Sequence, residues 1–225
     1  MLNTKTLIKN IIFDLDGTLT DSSEDIISNL LQALKDNDVN LKPNVKIKIG
    51  PPIEEMVTQA AIHINENLKL KVVKDFRHLY FNSGMPNTKP YSFMVELMSK
   101  LKDIGVDSYI ATYKPKVSAE KIMSKEFNGL YKDIMTPSEV ENFSNGKTKA
   151  DILMLLLKKW NLKAEESIMI GDAKSDIVSA NKLKIFSIGV KYGYGEPDEF
   201  IDADKIVNTT KDLSDFILGL CNKEI

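Results

Sequence analysis

The chain has 225 residues, 43% hydrophobic and 28% charged, with 30 Lys plus Arg against 32 Asp plus Glu and a formal net charge of −2. With a sequence pI of about 5.8, it has no basic face for counterion release on nucleic acid, which is excluded as the default partner. Cysteine occurs once, at Cys221, which excludes an intrachain disulfide and a Cys/His zinc cluster and fits a reducing compartment.

The amino terminus reaches only short apolar stretches before Asp14 and Asp16, whereas a secretion signal needs about 7 to 15 apolar residues. The longest candidate membrane run, Ile152 to Leu157, stops at Lys158 and Lys159, far short of the ~20 apolar residues a bilayer requires. A cytoplasmic protein without membrane contact is expected, as a monomer or homodimer. A chain of this size buries roughly 70 to 75% of its unfolded surface, enough for one domain or one with an insertion.

Asn10 to Leu15 is a short apolar run ending in aspartates, the pattern of a buried parallel strand that delivers acids to its carboxyl end. Asp21, Ser22 and Ser23 followed by Glu24 and Asp25 predict a capping-box start, and Ile26, Ile27, Leu30, Leu31 and Leu34 repeat at helical spacing. Gly50-Pro51-Pro52 breaks the chain, and Ile53 to Ile62 and Asn67 to Phe81 then read as helices. Beyond this the pattern alternates. Helices are predicted near 91–104, 116–127, 149–160, 175–184 and 211–221, and strands near 106–112, 134, 167–171, 185–190 and 205–207. Alternating strands and helices imply crossover units and a parallel sheet. The fold class is therefore α/β, a Rossmann-like parallel-sheet core comprising 1–18 and 84–225, with an all-helical segment, 19–83, inserted after the first strand. Met94, Met98, Met154 and the run Leu153 to Leu157 fall at helical spacing and read as core, as does Trp160 as packing.

In open α/β sheets ligands sit at the carboxyl ends of the strands. There the sequence supplies Asp14-Leu15-Asp16-Gly17-Thr18, then Thr112, then Gly171-Asp172 with Asp176 four residues on, while Lys147 and Lys149 open the intervening helix. Strand alternation returns Asp16 to the side of Asp14, so one carboxylate can attack while its neighbour handles protons. Converging carboxylates repel one another unless a cation sits among them, and an all-oxygen site suits Mg²⁺. Taken singly, each element also reads as turn and helix-cap chemistry. All of them together at the strand ends favour phosphoryl transfer.

With these motifs the sequence resembles the haloacid dehalogenase superfamily of phosphohydrolases, in its phosphoglycolate-phosphatase-like branch with a helical cap. The resemblance rests on Asp14 to Ser22, on Ala111-Thr112-Tyr113-Lys114-Pro115, on a helix-leading lysine, and on Ile170 to Asp176, with Ile49 to Ile53 and Gly189 to Gly195 in support. It implies Asp14 as nucleophile and metal ligand, and Asp16 as acid to the leaving group and then base to water, its backbone carbonyl also on the metal. Asp172 completes the implied metal ligands, Asp176 stands behind them, Thr112 donates to a phosphoryl oxygen, and Mg²⁺ is the implied cofactor. The implied function is a Mg²⁺-dependent phosphatase that hydrolyses a small phosphomonoester, such as phosphoglycolate or a nucleoside monophosphate, through an aspartyl-phosphate. The partner is then a small phosphorylated metabolite. Two other readings stay open: a phosphomutase of the β-phosphoglucomutase type, and a catalytically idle binding module.

Two departures stand out. The lysine usually followed by proline is here Gly146-Lys147-Thr148-Lys149-Ala150, so Lys147 and Lys149 both qualify, with Lys149 favoured because it directly precedes the helix. Tyr113 stands where a serine is common and is expected to alter the wall facing the cap. Gly146-Lys147-Thr148 resembles the end of a nucleotide-binding loop, but Glu141 replaces its first glycine. Asp16 argues against carbon–halogen chemistry, which lacks the second aspartate. Neither His63 nor His78 is assigned a role, Cys221 reads as a half-buried helix residue, and Arg77, the one arginine, as a rim position on its helix.

Overall fold

The computed structural model describes residues 7–83, 85–140 and 148–221. By internal packing the chain divides into two compact units, 1–21 with 90–225, and 22–89.

The first unit is built on a six-stranded sheet. In chain order its elements are β1 (Asn10–Phe13), β2 (Thr20–Asp21), β3 (Lys89–Pro90), α4 (Met94–Asp103), β4 (Asp107–Ala111), α5 (Lys116–Glu126), β5 (Asp133–Met135), α6 (Lys149–Trp160), β6 (Ser167–Gly171), α7 (Lys174–Lys182), β7 (Phe186–Val190), β8 (Lys205–Val207) and α8 (Thr210–Cys221). The sheet order is β5-β4-β1-β6-β7-β8, parallel throughout. The short pair β2 and β3 forms a separate two-stranded sheet, and Lys89 of β3 is counted with the second unit.

The central strands of this parallel sheet are largely apolar and buried, because helices must cover both faces. All four residues of β1 are buried, and Ile12 shares a core with Tyr109, Ala111, Met135 and Met169 of the neighbouring strands and Ile152, Leu153 and Leu156 of α6. One expected core residue lies elsewhere, whereas Trp160 packs as expected. Met154 is 45% exposed, because the apolar face of α6 runs through Ile152, Leu153 and Leu156 and turns residue 154 outward. Trp160 is also partly exposed; its ring tilts against Tyr109, and its Nε1 donates to Asp133 Oδ2 at 2.9 Å.

The second unit is helical: α1 (Ser23–Asp36), α2 (Ile53–Ala60) and α3 (Glu66–Ser83). Leu30, Ala33, Leu34, Val57, Val72 and Val73 form its buried apolar faces. Asp25, predicted to close a capping box, instead reaches the far end of the segment. Its Oδ2 accepts from Thr88 N at 2.6 Å, Thr88 Oγ1 at 2.7 Å and Asn87 N at 3.1 Å. Arg77 pairs with Glu54 at 2.8 Å on the surface of this unit. Among the described residues, no helix is long and apolar enough to cross a membrane.

Candidate active site

The strand register assembles the site. Successive crossovers run from β1 to β4 and β5 on one side, then return to place β6, β7 and β8 on the other, so the order reverses at β1. Phe13 pairs with Ile110 on one flank and Ile170 on the other. The residues that follow, Asp14, Ala111-Thr112 and Gly171-Asp172, therefore leave the sheet side by side. Asp14 N still donates to Ile170 O at 2.9 Å, which anchors its backbone while the side chain projects past the strand end.

Asp14, Asp172 and Asp176 each offer a carboxylate oxygen, and these three atoms lie within 4.8 Å of one another. Three buried acids at that separation favour protonation unless cations balance them. Burial first, then the charges of Asp14 and Asp176, push the Asp172 carboxyl well above the usual range. Burial also raises Asp176, and Lys149 opposes that shift. Lys149 supplies one positive charge. Its Nζ lies 2.8 Å from Asp14 Oδ1, 2.8 Å from Ala111 O and 2.9 Å from Asp176 Oδ1. The Asp176 contact lies off the hydrogen-bond direction, so it is an ion pair only. Burial works against the ammonium, but Asp14 and Asp176 outweigh it and hold Lys149 above its ordinary value.

The first turn of α6 delivers this lysine. Thr148 is the N-cap, and its side chain and that of Asp151 form a capping box, with Thr148 N donating to Asp151 Oδ2 at 2.8 Å. Lys149 is thus the first helical residue rather than the one before the helix. Its backbone N–H, one of the orphan donors of a helix start, is satisfied by Tyr113 Oη at 2.8 Å. Tyr113 thus has a role inside the core unit, where its ring also lies 5.2 Å from the Lys149 ammonium. Lys147, the alternate lysine, lies outside the described residues.

Asp172 is gripped on both oxygens. Thr18 Oγ1 donates to Oδ1 at 3.3 Å and Tyr194 N to Oδ2 at 2.7 Å. Glycines allow this crowding: a Cβ on Gly17, where φ is +84°, would lie 2.0 Å from Asp172 Oδ2, and one on Gly193 would lie 2.3 Å from Gly17 O. Gly171 leaves room for Asp176 in the same way. Asp16 stands outside the acid cluster, its two carboxylate oxygens each 2.8 Å from Lys114 Nζ. Thr112 is buried beside the site, and its Oγ1 accepts from Lys114 N at 3.2 Å. Sequence reasoning missed Lys114 and the hydroxyl role of Tyr113, although both belong to the quoted second motif. The donor set, carboxylates in a buried cluster with Lys149 against it, fits a hard divalent metal.

Comparison with known proteins shows the family and the fold. Residues 11–190 match the family model described as haloacid dehalogenase-like hydrolase. A 5'-nucleotidase of Pseudomonas aeruginosa is 30% identical over 84% of this chain and 86% of its own length. A phosphoglycolate phosphatase of Vibrio parahaemolyticus is 28% identical over 93% and 96%. Among solved structures, a predicted phosphatase from Clostridium acetobutylicum superimposes with a TM-score of 0.83 at 29% identity, covering 95% of this chain and all of that one.

Proposed function

The chain belongs to the haloacid dehalogenase-like hydrolase family and is a phosphatase, and from that premise we propose that it hydrolyses a small phosphomonoester through an aspartyl-phosphate on Asp14, with Mg²⁺ as cofactor. The substrate class, a phosphoglycolate-like or nucleoside-monophosphate-like ester, is supported by the names of its relatives. The observation that carries the reading is the position of Asp14: at the end of the central strand, 2.8 Å from a buried lysine and grouped with Asp172 and Asp176.

Asp14, Asp172 and the backbone carbonyl of Asp16 would hold the metal, with Asp176 behind them. Bound there, Mg²⁺ supplies positive charge to the phosphoryl oxygens. The residues perform the chemistry. A carboxylate oxygen of Asp14 attacks phosphorus and the bond to the leaving oxygen breaks, while the Asp16 carboxyl gives that oxygen its proton. Asp16, now a carboxylate, takes a proton from water as the water oxygen attacks phosphorus, which releases Asp14 and inorganic phosphate. Lys149 neutralises Asp14 in the resting site and the phosphoryl oxygens during transfer. Thr112 donates its hydroxyl to one of those oxygens.

Phosphate release from a panel of small phosphomonoesters, with Mg²⁺ and with chelator, tests the reading. Asp14→Asn is expected to abolish release while keeping the melting temperature. Full activity in that variant overturns the mechanism, and isomerisation of a sugar phosphate without phosphate release selects a phosphomutase instead.

A further inference from the structure

The acid cluster accounts for one buried lysine, but among the described residues the site contains two. Lys114 is 3% exposed in its side chain, and its Nζ bridges both oxygens of Asp16 at 2.8 Å. Burying an ammonium is unfavourable unless it is paired and hydrogen-bonded, so so deep a placement needs a specific partner. The sequence directs it there locally. Pro115 follows Lys114 and restricts its backbone to an extended conformation, and the Lys114 N–H is turned back onto Thr112 Oγ1 at 3.2 Å. Because β1 and β4 are register neighbours, Phe13 beside Ile110, the loop carrying Lys114 lies next to the loop carrying Asp16.

We propose that Lys114 is a positioning residue for Asp16. This rests on the reading of Asp16 as the proton carrier. An aspartate on a loop otherwise has several χ1 rotamers and a broad χ2. An ammonium equidistant from both oxygens selects one orientation and holds it. Proton transfer demands that orientation, because the carboxyl must stand within about 2.6 to 3.2 Å of the oxygen it serves. A displacement of about 1 Å slows such a step on the order of 100-fold. Lys114 therefore acts on the proton-dependent steps and leaves substrate binding to other groups.

The test compares leaving groups. β-Glycerophosphate leaves as an alkoxide and needs a proton; 4-nitrophenyl phosphate leaves as a stable phenolate and does not. In Lys114→Met, kcat on β-glycerophosphate is expected to fall on the order of 100-fold with KM changed by less than about threefold. The pre-steady-state burst of nitrophenolate should stay within about threefold of the parent. Lys114→Arg should recover part of the loss, and Lys114→Met added to Asp16→Asn should leave the burst rate of that variant unchanged. The proposal is overturned if burst and glycerophosphate turnover fall together, if KM rises with kcat intact, or if nothing moves. Should Lys114→Met fail to fold, Lys114→Gln carries the same comparison. Asp14→Asn, run alongside, separates the two levels: a burst persisting there defeats the mechanism itself, whereas its loss there with Lys114→Met unaffected defeats only the role of Lys114.

Discussion

Lys149 Nζ donates to Asp14 Oδ1 at 2.8 Å from the first turn of a different element, so the proposed nucleophile, just past β1, meets its neutralising cation at the start of α6, a helix that packs on β4 and β5. Lys149→Met leaves Asp14 and Asp176 as buried carboxylates without their cation. Removing one member of a buried pair destabilises by about 3 to 5 kcal/mol, which chemical denaturation measures. Turnover should fall at least about 100-fold, the scale of one lost electrostatic group in a dry site. Lys147→Ala, in contrast, should keep turnover within about twofold. A large loss there would move the role to Lys147.

Tyr113 ties the same lysine down from the other side. Its hydroxyl accepts from Lys149 N at 2.8 Å. Tyr113→Phe keeps the ring and removes only that acceptor, so the amide at the helix start loses its partner. A stability loss of about 1 kcal/mol is expected. Because the ammonium is carried by the same residue, kcat should fall several-fold while KM holds. Steady-state kinetics beside thermal melts distinguish this from a purely structural role, which would lower the melting temperature alone.

Asp172 depends on neighbours that have no side chain. A Cβ on Gly193 would lie 2.4 Å from Asp172 Cβ and 2.5 Å from its Oδ2. Gly193→Ala must therefore move the carboxylate or the loop. Stabilisation by a bound ion follows RT ln(1 + [L]/Kd), so a Mg²⁺ titration followed by thermal shift reads the site without any substrate. The apparent Kd of Gly193→Ala is expected to rise at least about tenfold, which is ~1.4 kcal/mol. Gly219 serves as the contrast. It lies in α8, nothing would approach its Cβ within 4 Å, and Gly219→Ala should stabilise by about 0.5 to 1 kcal/mol.

Local pattern made the sheet legible: apolar runs broken at regular intervals by helical periodicity dictate a parallel α/β core, and acids placed just past those runs must emerge on one edge. Asp14, Asp172, Asp176 and Lys149 meet for that reason. What the sequence did not disclose were partners set by packing over long separations. Asp25 satisfies the local rule for a capping box, yet its carboxylate is used more than sixty residues on, at Asn87 and Thr88. Tyr113 and Lys114 sit inside a recognisable motif, but their partners, Lys149 N and Asp16, are fixed by where α6 starts and how β1 lies beside β4. Met154 shows the limit of periodicity, which marks an apolar helix without saying which residue its core face leaves out.

The carboxylate of Asp25 is 2% exposed and receives two backbone N–H groups and a hydroxyl from Asn87 and Thr88, all within the helical unit. Asp25→Ala leaves the buried N–H and hydroxyl of Thr88 without their acceptor. Hydrogen bonds to a charged group contribute about 1.5 to 3 kcal/mol each and are not additive, so a loss of about 3 kcal/mol is expected. Thr88→Val removes the hydroxyl alone and should lose about 1 kcal/mol. Urea denaturation orders the two variants; an Asp25→Ala midpoint equal to the parent would remove this contact from the account of stability.

Burial pushes the thiol of Cys221 up to about 11 from its ordinary 9. An acid whose folded pKa is raised holds its proton longer in the native state, so the thiolate that reacts is scarcer there at any pH below that value. Two pH units correspond to about 100-fold less thiolate near pH 8, and alkylation of the native protein by iodoacetamide should be slower than that of the urea-unfolded chain by that order. The sign extends to stability: above pH 9 the unfolded thiol ionises first, so this group lowers stability progressively as pH rises from 9 toward 11. Mass spectrometry of the alkylated chain at pH 8, native against unfolded, measures the ratio. Equal rates would place Cys221 in contact with solvent and remove the burial that raises it.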